Sequence, residues 1–497
     1  MQLIEGFLAI SSMTTILLIF IGVIFGITFG AIPGLSAFTC LALMLPITFG
    51  MEPINGLSFL LAVYVGGVSG GLISAILLNI PGTPSSIATC FDGAPMAARG
   101  EAGKALGVGI VFSFIGGLFS AIILTYFGPP IAKFALRFSP YEYFAVILFA
   151  LTTVSSLASG NMINGLISCL LGISLSFVGI DRLSSYTRYT MGYSQLDSGF
   201  SIVPLLIGVF AVAQILDIAE GEKKHLDLSQ RKTVKIKGFG FSLKEFFGQL
   251  QNALYSGLIG LGVGILPGIG GNISNLMSYA FIKKRSKYPE KFGTGIIDGI
   301  VASETSNNAA VGGALIILLT LGIPGDNATA MILAGFMVHG ISPGPLLFET
   351  SAALVYALFA AFILANIVML VCEIAGLNLF VKLLSIPKAI LLPVVIVFCF
   401  IGSFSGNNNL FDITLMVAFG FLGYLMKKFK FPLSPLVVGF ILAPLLEENL
   451  RRSLMRSEGS LMPILTSPIA AVFLAGTAFM IWRAIVSERK QAQKGEK

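Results

Sequence analysis

The sequence predicts an all-α polytopic membrane protein built from two inverted repeats with broken helices and re-entrant hairpins. Three observations lead there. Of 497 residues, 55% are hydrophobic and 11% charged, with mean hydropathy +0.91. A soluble domain carries about 25% charged residues, so this chain has too little polar surface to cover itself in water. Apolar runs approaching the roughly 20 residues that cross a bilayer recur from residue 13 to residue 482. Pro-Gly pairs sit inside several of these runs, at related places in two halves of the chain.

The apolar runs follow in order. The first set is 7–31, 37–49, 57–80, 106–127, 143–157, 163–178 and 202–218. A polar stretch, 220–244, interrupts the pattern. The second set is 254–266, 273–282, 310–323, 328–338, 352–372, 390–402, 411–426, 432–446 and 469–482. This divides the chain into a first membrane repeat (1–218), a cytoplasmic polar linker (219–248), a second repeat (249–446), and a final span with a basic tail (447–497). The shorter runs that contain Pro-Gly read as half-helices or re-entrant hairpins. The first run has no basic leader and no small-residue cleavage site after it, so it reads as a permanent helix. Cys40, Cys90, Cys169, Cys372 and Cys399 lie in or beside apolar runs without ligand spacing, and read as core thiols. The net charge of +7 does not imply nucleic acid. The basic residues fall in short loops between spans, as the positive-inside rule requires.

The repeat is visible by number. Gly26, Gly30, Pro33 and Gly34 are answered by Gly260, Gly264, Pro267 and Gly268, shifted by 234 (267 − 33). Gly70 and Ile80-Pro81-Gly82 are answered by Gly313 and Ile323-Pro324-Gly325, shifted by 243 (324 − 81). Loop charges give the relative orientation. Glu5 and Glu52 flank the first hairpin. Lys235, Lys237, Lys244, Lys283, Lys284, Arg285 and Lys287 flank the second. The first therefore opens from outside and the second from inside. The next break ends at Arg99 and Lys104 in the first half, and at the uncharged stretch 340–347 in the second. Counting onward places 220–244, 427–430 and 483–497 in the cytoplasm and the N-terminus outside. Arg451, Arg452 and Arg456 fit this count poorly, because they fall outside beside Glu447 and Glu448.

The chemistry concentrates at the breaks. In Asn79-Ile80-Pro81-Gly82-Thr83-Pro84-Ser85-Ser86, the prolines withhold hydrogen-bond donors and Gly82 permits a reversal. Pro84 suits the first turn of a new helix with Thr83 as its cap. The free N–H groups and partial positive charge of that helix end can hold a carboxylate without any Arg. Thr83, Ser85 and Ser86 add hydroxyl donors. The second copy is Pro324-Gly325-Asp326-Asn327-Ala328-Thr329, with Asp326 or Asn327 as the cap. Nearby, Glu304, Thr305, Ser306, Asn307 and Asn308 form a polar cluster in apolar surroundings, which protein, water or ions must satisfy. With Asp326 these oxygens suit a hard cation such as Na⁺. Capping and ligation are equally open for Asn272, Ser274 and Asn275, and Ser36 and Thr39 carry less signal. Arg99 and Lys104 read as topogenic charges, His225 as solvated, and His339 as a helix-end residue.

Enzyme chemistry finds no support in the sequence. There are two His residues and no nucleophile–base pair, metal spacing or phosphate loop. The glycine-rich stretch 66–71 lies within an apolar run and reads as close helix packing rather than nucleotide binding. No cofactor is expected beyond a coupling ion, Na⁺ or H⁺.

At these motifs the chain resembles the large membrane subunit of the tripartite tricarboxylate transporters. The likeness rests on Ile32-Pro33-Gly34-Leu35, Asn79-Ile80-Pro81-Gly82-Thr83-Pro84, and Asp92-Gly93-Ala94-Pro95-Met96-Ala97 with Gly100. In the second half it rests on Tyr288-Pro289-Glu290-Lys291-Phe292-Gly293, Glu304 with Asn307-Asn308-Ala309-Ala310, and Leu321-Gly322-Ile323-Pro324-Gly325. It departs at Ala94, where Tyr is usual, at Ile317, where Pro is common, and at Asp326, where a small residue is frequent. The resemblance implies a bacterial inner-membrane carrier with elevator-type scaffold and transport domains. It implies a periplasmic solute-binding protein that delivers a di- or tricarboxylate such as citrate, and a small membrane subunit. It also implies uptake driven by a cation gradient, usually Na⁺. The alternatives are a stand-alone carboxylate symporter and an anion channel.

Overall fold

The computed structural model describes residues 2–157, 162–181, 183–221, 240–268, 270–384 and 388–495. Most of the described residues are helical. The first half runs α1 (Gln2–Ala9), α2 (Met13–Ala31), α3 (Ala37–Met44), α4 (Pro53–Leu78), α5 (Ile87–Ala98), α6 (Ala102–Ala135), α7 (Pro140–Leu157) and α8 (Met162–Ser176). After a small antiparallel pair, β1 (Gly179–Ile180) and β2 (Thr187–Arg188), come α9 (Ile202–Leu206), a π-helical turn and α10 (Ala213–Gly221). The second half runs α11 (Leu243–Gly264), α12 (Gly270–Arg285), α13 (Ile297–Leu321), α14 (Asn327–Val338), α15 (Leu347–Thr350) and α16 (Ala352–Leu383). It ends with α17 (Lys388–Asn407), α18 (Leu410–Lys428), α19 (Leu433–Arg456), α20 (Met462–Thr466) and α21 (Pro468–Gly495). Among the described residues, eight helices are long and apolar enough to cross a membrane.

Close glycine contacts bind the two halves in the same way. In the first, a Cβ at Gly26 would lie 2.3 Å from the Val63 carbonyl, one at Gly30 2.3 Å from the Gly67 carbonyl, and one at Gly70 2.5 Å from the Ile27 carbonyl. In the second, Gly260 meets the Ser306 carbonyl, Gly264 the Ala310 carbonyl and Gly313 the Leu261 carbonyl, at 2.2, 2.4 and 2.5 Å. Each partner pair is related by the offsets of 234 and 243 already read from the glycines and prolines. The stretch 66–71 is therefore a packing surface, where absent side chains let α2 and α4 touch backbone to backbone. The two halves also interlock, because α6 packs against α13 and α16 against α4.

Several segments differ from the sequence expectation. The run 7–31 is two helices. Ser12 caps α2 by accepting from the Thr15 N–H at 3.1 Å, and Gly6 seats α1 against the backbone of Tyr356 in α16. The run 106–127 is the core of a 34-residue helix that passes through Pro129 and Pro130. The polar cluster 304–308 is part of α13, which begins at Ile297. Helix α19 continues through the boundary drawn at 446, and α11 begins inside the linker. Residues 222–239, with His225, Lys235 and Lys237, lie outside the described residues. The awkward basic group near the end of α19 has a local explanation. Arg451 pairs with Asp181 at 2.7 Å and Arg452 with Glu448 at 2.6 Å, so both charges are balanced on the spot.

Candidate substrate and cation site

Each half breaks its helices twice, with local chemistry that repeats by number. Asn79 (φ 55°) and Gly322 (φ 73°) end α4 and α13 in the left-handed conformation, as C-terminal caps do. Gly34 (φ 94°) and Gly268 (φ 76°) turn the other two breaks. After the reversals, Thr83 and Ser86 form a capping box, the Thr83 N–H donating to Ser86 Oγ at 3.3 Å. Asp326 and Thr329 form the equivalent box. There the Thr329 N–H donates to Asp326 Oδ1, and the Asp326 N–H to Thr329 Oγ1, both at 2.8 Å. Ser36 caps α3. Pro81, Pro324 and the hairpin prolines shape these turns. At Gly82 a Cβ would lie 2.2 Å from the Gly30 carbonyl, and at Gly325 it would lie 2.6 Å from Ala314 Cα. The two second-half breaks are tied together by the Gly268 N–H, which donates to the Gly325 carbonyl at 2.7 Å.

All four new helix starts meet at one cavity of about 50 Å³. Ser36, Ala37 and Phe38 line it from α3, Thr83, Pro84 and Ser85 from the turn into α5, Gly271 and Asn272 from α12, and Asp326, Asn327 and Ala328 from α14. Tyr64 and Val68 of α4 and Asn307 and Val311 of α13 complete the wall. Residues 64 and 307, 68 and 311, and 83–85 and 326–328 are related by 243; residues 37–38 and 271–272 are related by 234. The lining is thus two copies of one frame with different chemistry. The first copy presents hydroxyls and rings. The second presents amides and one carboxylate. Among the described residues no Lys or Arg lines the cavity, so positive potential there comes from the helix ends.

Asp326 holds the centre. Its Oδ1 caps α14, and Tyr64 donates to its Oδ2 at 2.5 Å. Asn307 donates weakly to the Val68 carbonyl at 3.5 Å, while its buried Oδ1 has no partner among the described residues. A buried amide oxygen without a donor is costly, and it faces the same cavity as Asp326. Asn275 Oδ1 and Ser306 Oγ, also buried and unpartnered, sit on the same two helices, α12 and α13. The Asn275 amide donates to the Ser85 carbonyl and so clamps α12 to the first-half break.

The structure separates the polar cluster. Asn307 lines the cavity with Asp326. Glu304 lies elsewhere, accepting from Thr89 of α5 and from Ser113 of α6, the latter at 2.9 Å. Asn308 turns back to the Glu304 carbonyl at 3.1 Å. The roles of three further residues escape the sequence reading. Tyr64 stands alone in an apolar run, and only its offset from Asn307 marks it. Asp92, fully buried, accepts from the N–H groups of Gly293, Gly295 and Ile296 at 2.8–3.0 Å and from the Tyr279 hydroxyl at 2.8 Å. It thereby joins the stretches 92–97 and 288–293. Glu373 is buried in α16. Arg99 bonds the carbonyls of Thr294 and Gly295, and Lys104 pairs with Glu245; neither reaches the cavity.

A larger cavity, about 310 Å³, lies beside the β1–β2 turn and holds Arg188. That guanidinium is already forked onto Glu447 at 2.8 and 3.1 Å. Asp181 and Glu448 share the lining and are paired with Arg451 and Arg452, so the charged side chains described there are already matched.

The sequence matches the family described as "Tripartite tricarboxylate transporter TctA family" over residues 16–438. It is 36% identical over 477 residues to the "Uncharacterized 52.8 kDa protein in TAR-I ttuC' 3'region" of Agrobacterium vitis, covering 96% of this chain and 94% of that one. It is 39% identical over 212 residues to the "Uncharacterized protein in TAR-II ttuC' 3'region" of the same organism, covering 43% of this chain and 88% of that one. No solved structure matches.

Proposed function

Since the chain belongs to the tripartite tricarboxylate transporter TctA family, we propose that it is the large membrane subunit of a binding-protein-dependent carrier importing a citrate-like di- or tricarboxylate with a cation. The observation that carries the reading is the convergence of four helix N-termini on one cavity with no basic side chain among its described lining residues. Carboxylate oxygens accept from the Ser85 N–H and from the hydroxyls of Thr83 and Ser85, which line the cavity and where no protein carboxylate competes; Ser86 holds the turn through its capping box with Thr83. The cation, Na⁺, takes the second-half side. There Asp326, Asn307 Oδ1 and nearby carbonyls offer hard oxygens, and its charge offsets the approach of an anion to Asp326. At about 50 Å³ the cavity holds a few waters, well below the roughly 300 Å³ of an ordinary ligand pocket. The hairpins therefore part to admit cargo and close after it.

The repeats are inverted in the membrane, and the two hairpin pairs move as a transport domain against the remaining helices. The protein lies in a bacterial inner membrane, with its N-terminus in the periplasm and its C-terminus in the cytoplasm. A periplasmic solute-binding protein delivers the carboxylate, and a small membrane subunit completes the carrier. No reaction is catalysed on the cargo. Reconstitution tests this. Citrate uptake into proteoliposomes should saturate, depend on a Na⁺ gradient, and require the binding protein. Uptake without the binding protein would mark a stand-alone symporter. Unsaturable flux indifferent to the gradient would mark a channel.

A further inference from the structure

Another buried carboxylate, Glu373, meets α4 one residue beyond the cavity-lining Val68. Glu373 sits on α16 in the inward stripe Asn366, Met369, Glu373, Leu377 and Phe380, while its neighbours Val371 and Ile374 are 55% and 43% exposed on the outer face. Ser69 of α4 donates to Glu373 Oε2 at 3.0 Å. Oε1 is buried and has no partner among the described residues. No Lys, Arg or His pairs with it among those residues. The elements packed on α16 supply no counter-charge either. Helix α2 has no titratable side chain, and α4 has only Tyr64, which is turned to Asp326. On α6, Lys104 is paired with Glu245, Lys133 is in the last turn and Tyr126 is exposed. Helix α1 carries an exposed Glu5, and α15 carries Glu349. The adjacent Cys372 is a free thiol, and across the bundle the buried Glu304 lies on α13.

A buried carboxylate with one hydroxyl donor and no cation is strongly unfavourable. Two ways of removing the charge exist, a metal ion or a proton. A hard metal ion takes six or more oxygens, and Glu373 with Ser69 offers three. A proton needs only one. We infer that Glu373 and Ser69 form a proton-binding site, distinct from the anion cavity, that couples proton movement to carboxylate transport. Oε1 takes a proton from water on one side of the membrane and yields it to water on the other, with no other bond changed. The link to cargo is α4 itself. Val68 lines the cavity, and Ser69, the next residue, holds Glu373. Moving α4 with the hairpins pulls Ser69 from Glu373 and changes the proton's hold. The inference deepens the proposed function and rests on it for the coupling, though not for the proton.

The test has a cargo-free arm and a transport arm. Difference infrared spectra of the purified protein, taken across a pH series, should show a protonated-carboxyl band that fades as pH rises. Glu373→Gln should remove that band, while Glu304→Gln should retain it. In proteoliposomes, an inward pH gradient should stimulate net citrate uptake by the parent protein. Glu373→Gln should lose that stimulation at least tenfold while keeping citrate exchange, and Glu373→Asp should restore part of it. A band unchanged in Glu373→Gln, or a pH-gradient response that survives the substitution, overturns the proton site. Absence of citrate exchange in the parent protein counts against the proposed function instead, and the infrared arm still decides the proton site.

Discussion

Gly82→Ala adds one methyl group at the first-half reversal. Its carbon would lie 2.2 Å from the Gly30 carbonyl and 2.5 Å from Ser74 Oγ. Ordinary contact begins at 3.4 Å, so the chains must separate by 1.2 Å (3.4 − 2.2). The obstacle is the backbone at the end of α2, which cannot rotate aside as a side chain can. Overpacking of this kind costs about 1–3 kcal/mol. The cost falls on the closed arrangement, in which the break at residues 79–83 nests against α2. If transport passes through that arrangement, a loss of 1.4 kcal/mol is about tenfold in its population, so uptake should fall about 5- to 150-fold. The assay is citrate uptake into proteoliposomes, normalised to protein in the membrane. Gly262→Ala is the control, since a Cβ there meets nothing within 4 Å, and it should change uptake less than threefold. Uptake by Gly82→Ala equal to the parent would refute the reasoning, because the reversal would then not need the close approach.

Two further predictions concern the cavity and a third the buried Asp92. Asp326→Asn preserves the cap on α14 but removes the charge, so the Na⁺ concentration for half-maximal uptake should rise about tenfold or more; an unchanged Na⁺ response would remove Asp326 from the cation site. Tyr64→Phe deletes a buried hydrogen bond to a carboxylate, worth about 1.5–3 kcal/mol, and should weaken Na⁺-dependent citrate binding by at least tenfold; equal titration curves would count against it. Asp92→Ala strands three backbone N–H groups and a tyrosine hydroxyl, so it should lower stability by about 3 kcal/mol or more, read as an earlier thermal unfolding midpoint and faster proteolysis near residues 288–296.

Much of the frame was legible because membrane helices signal themselves by local composition. Gly, Pro and apolar length are properties of short windows, and the offsets of 234 and 243 needed only matching residues. Those offsets pair residues that touch equivalent partners, as Gly26 with the Val63 carbonyl and Gly260 with the Ser306 carbonyl. The capping role read for Thr83 and Asp326 also follows from local sequence, since a cap bonds within three residues. What escaped is non-local. Nothing near Tyr64 says that it meets Asp326, 262 residues away. Asp92 reads as an ordinary acidic residue until the loop at 293–296 folds over it. The polar cluster 304–308 reads as one site. Glu304 and Asn307, three residues apart, stay on adjoining positions one turn apart, and their tertiary neighbours separate them: Glu304 meets Thr89 and Ser113, while Asn307 lines the cavity. The break between α1 and α2 was missed because apolar continuity outweighs a Ser cap when hydropathy alone is followed.

The central claim is that helix ends, rather than a fixed cation, receive the anion. A structure determined with citrate bound tests it most directly. Citrate density should lie between the starts of α5 and α14, with carboxylate oxygens within hydrogen-bond reach of the Ser85 N–H and the Thr83 and Ser85 hydroxyls and no Lys or Arg in contact. Density instead against Arg188, in the larger cavity beside the β1–β2 turn, would contradict the account.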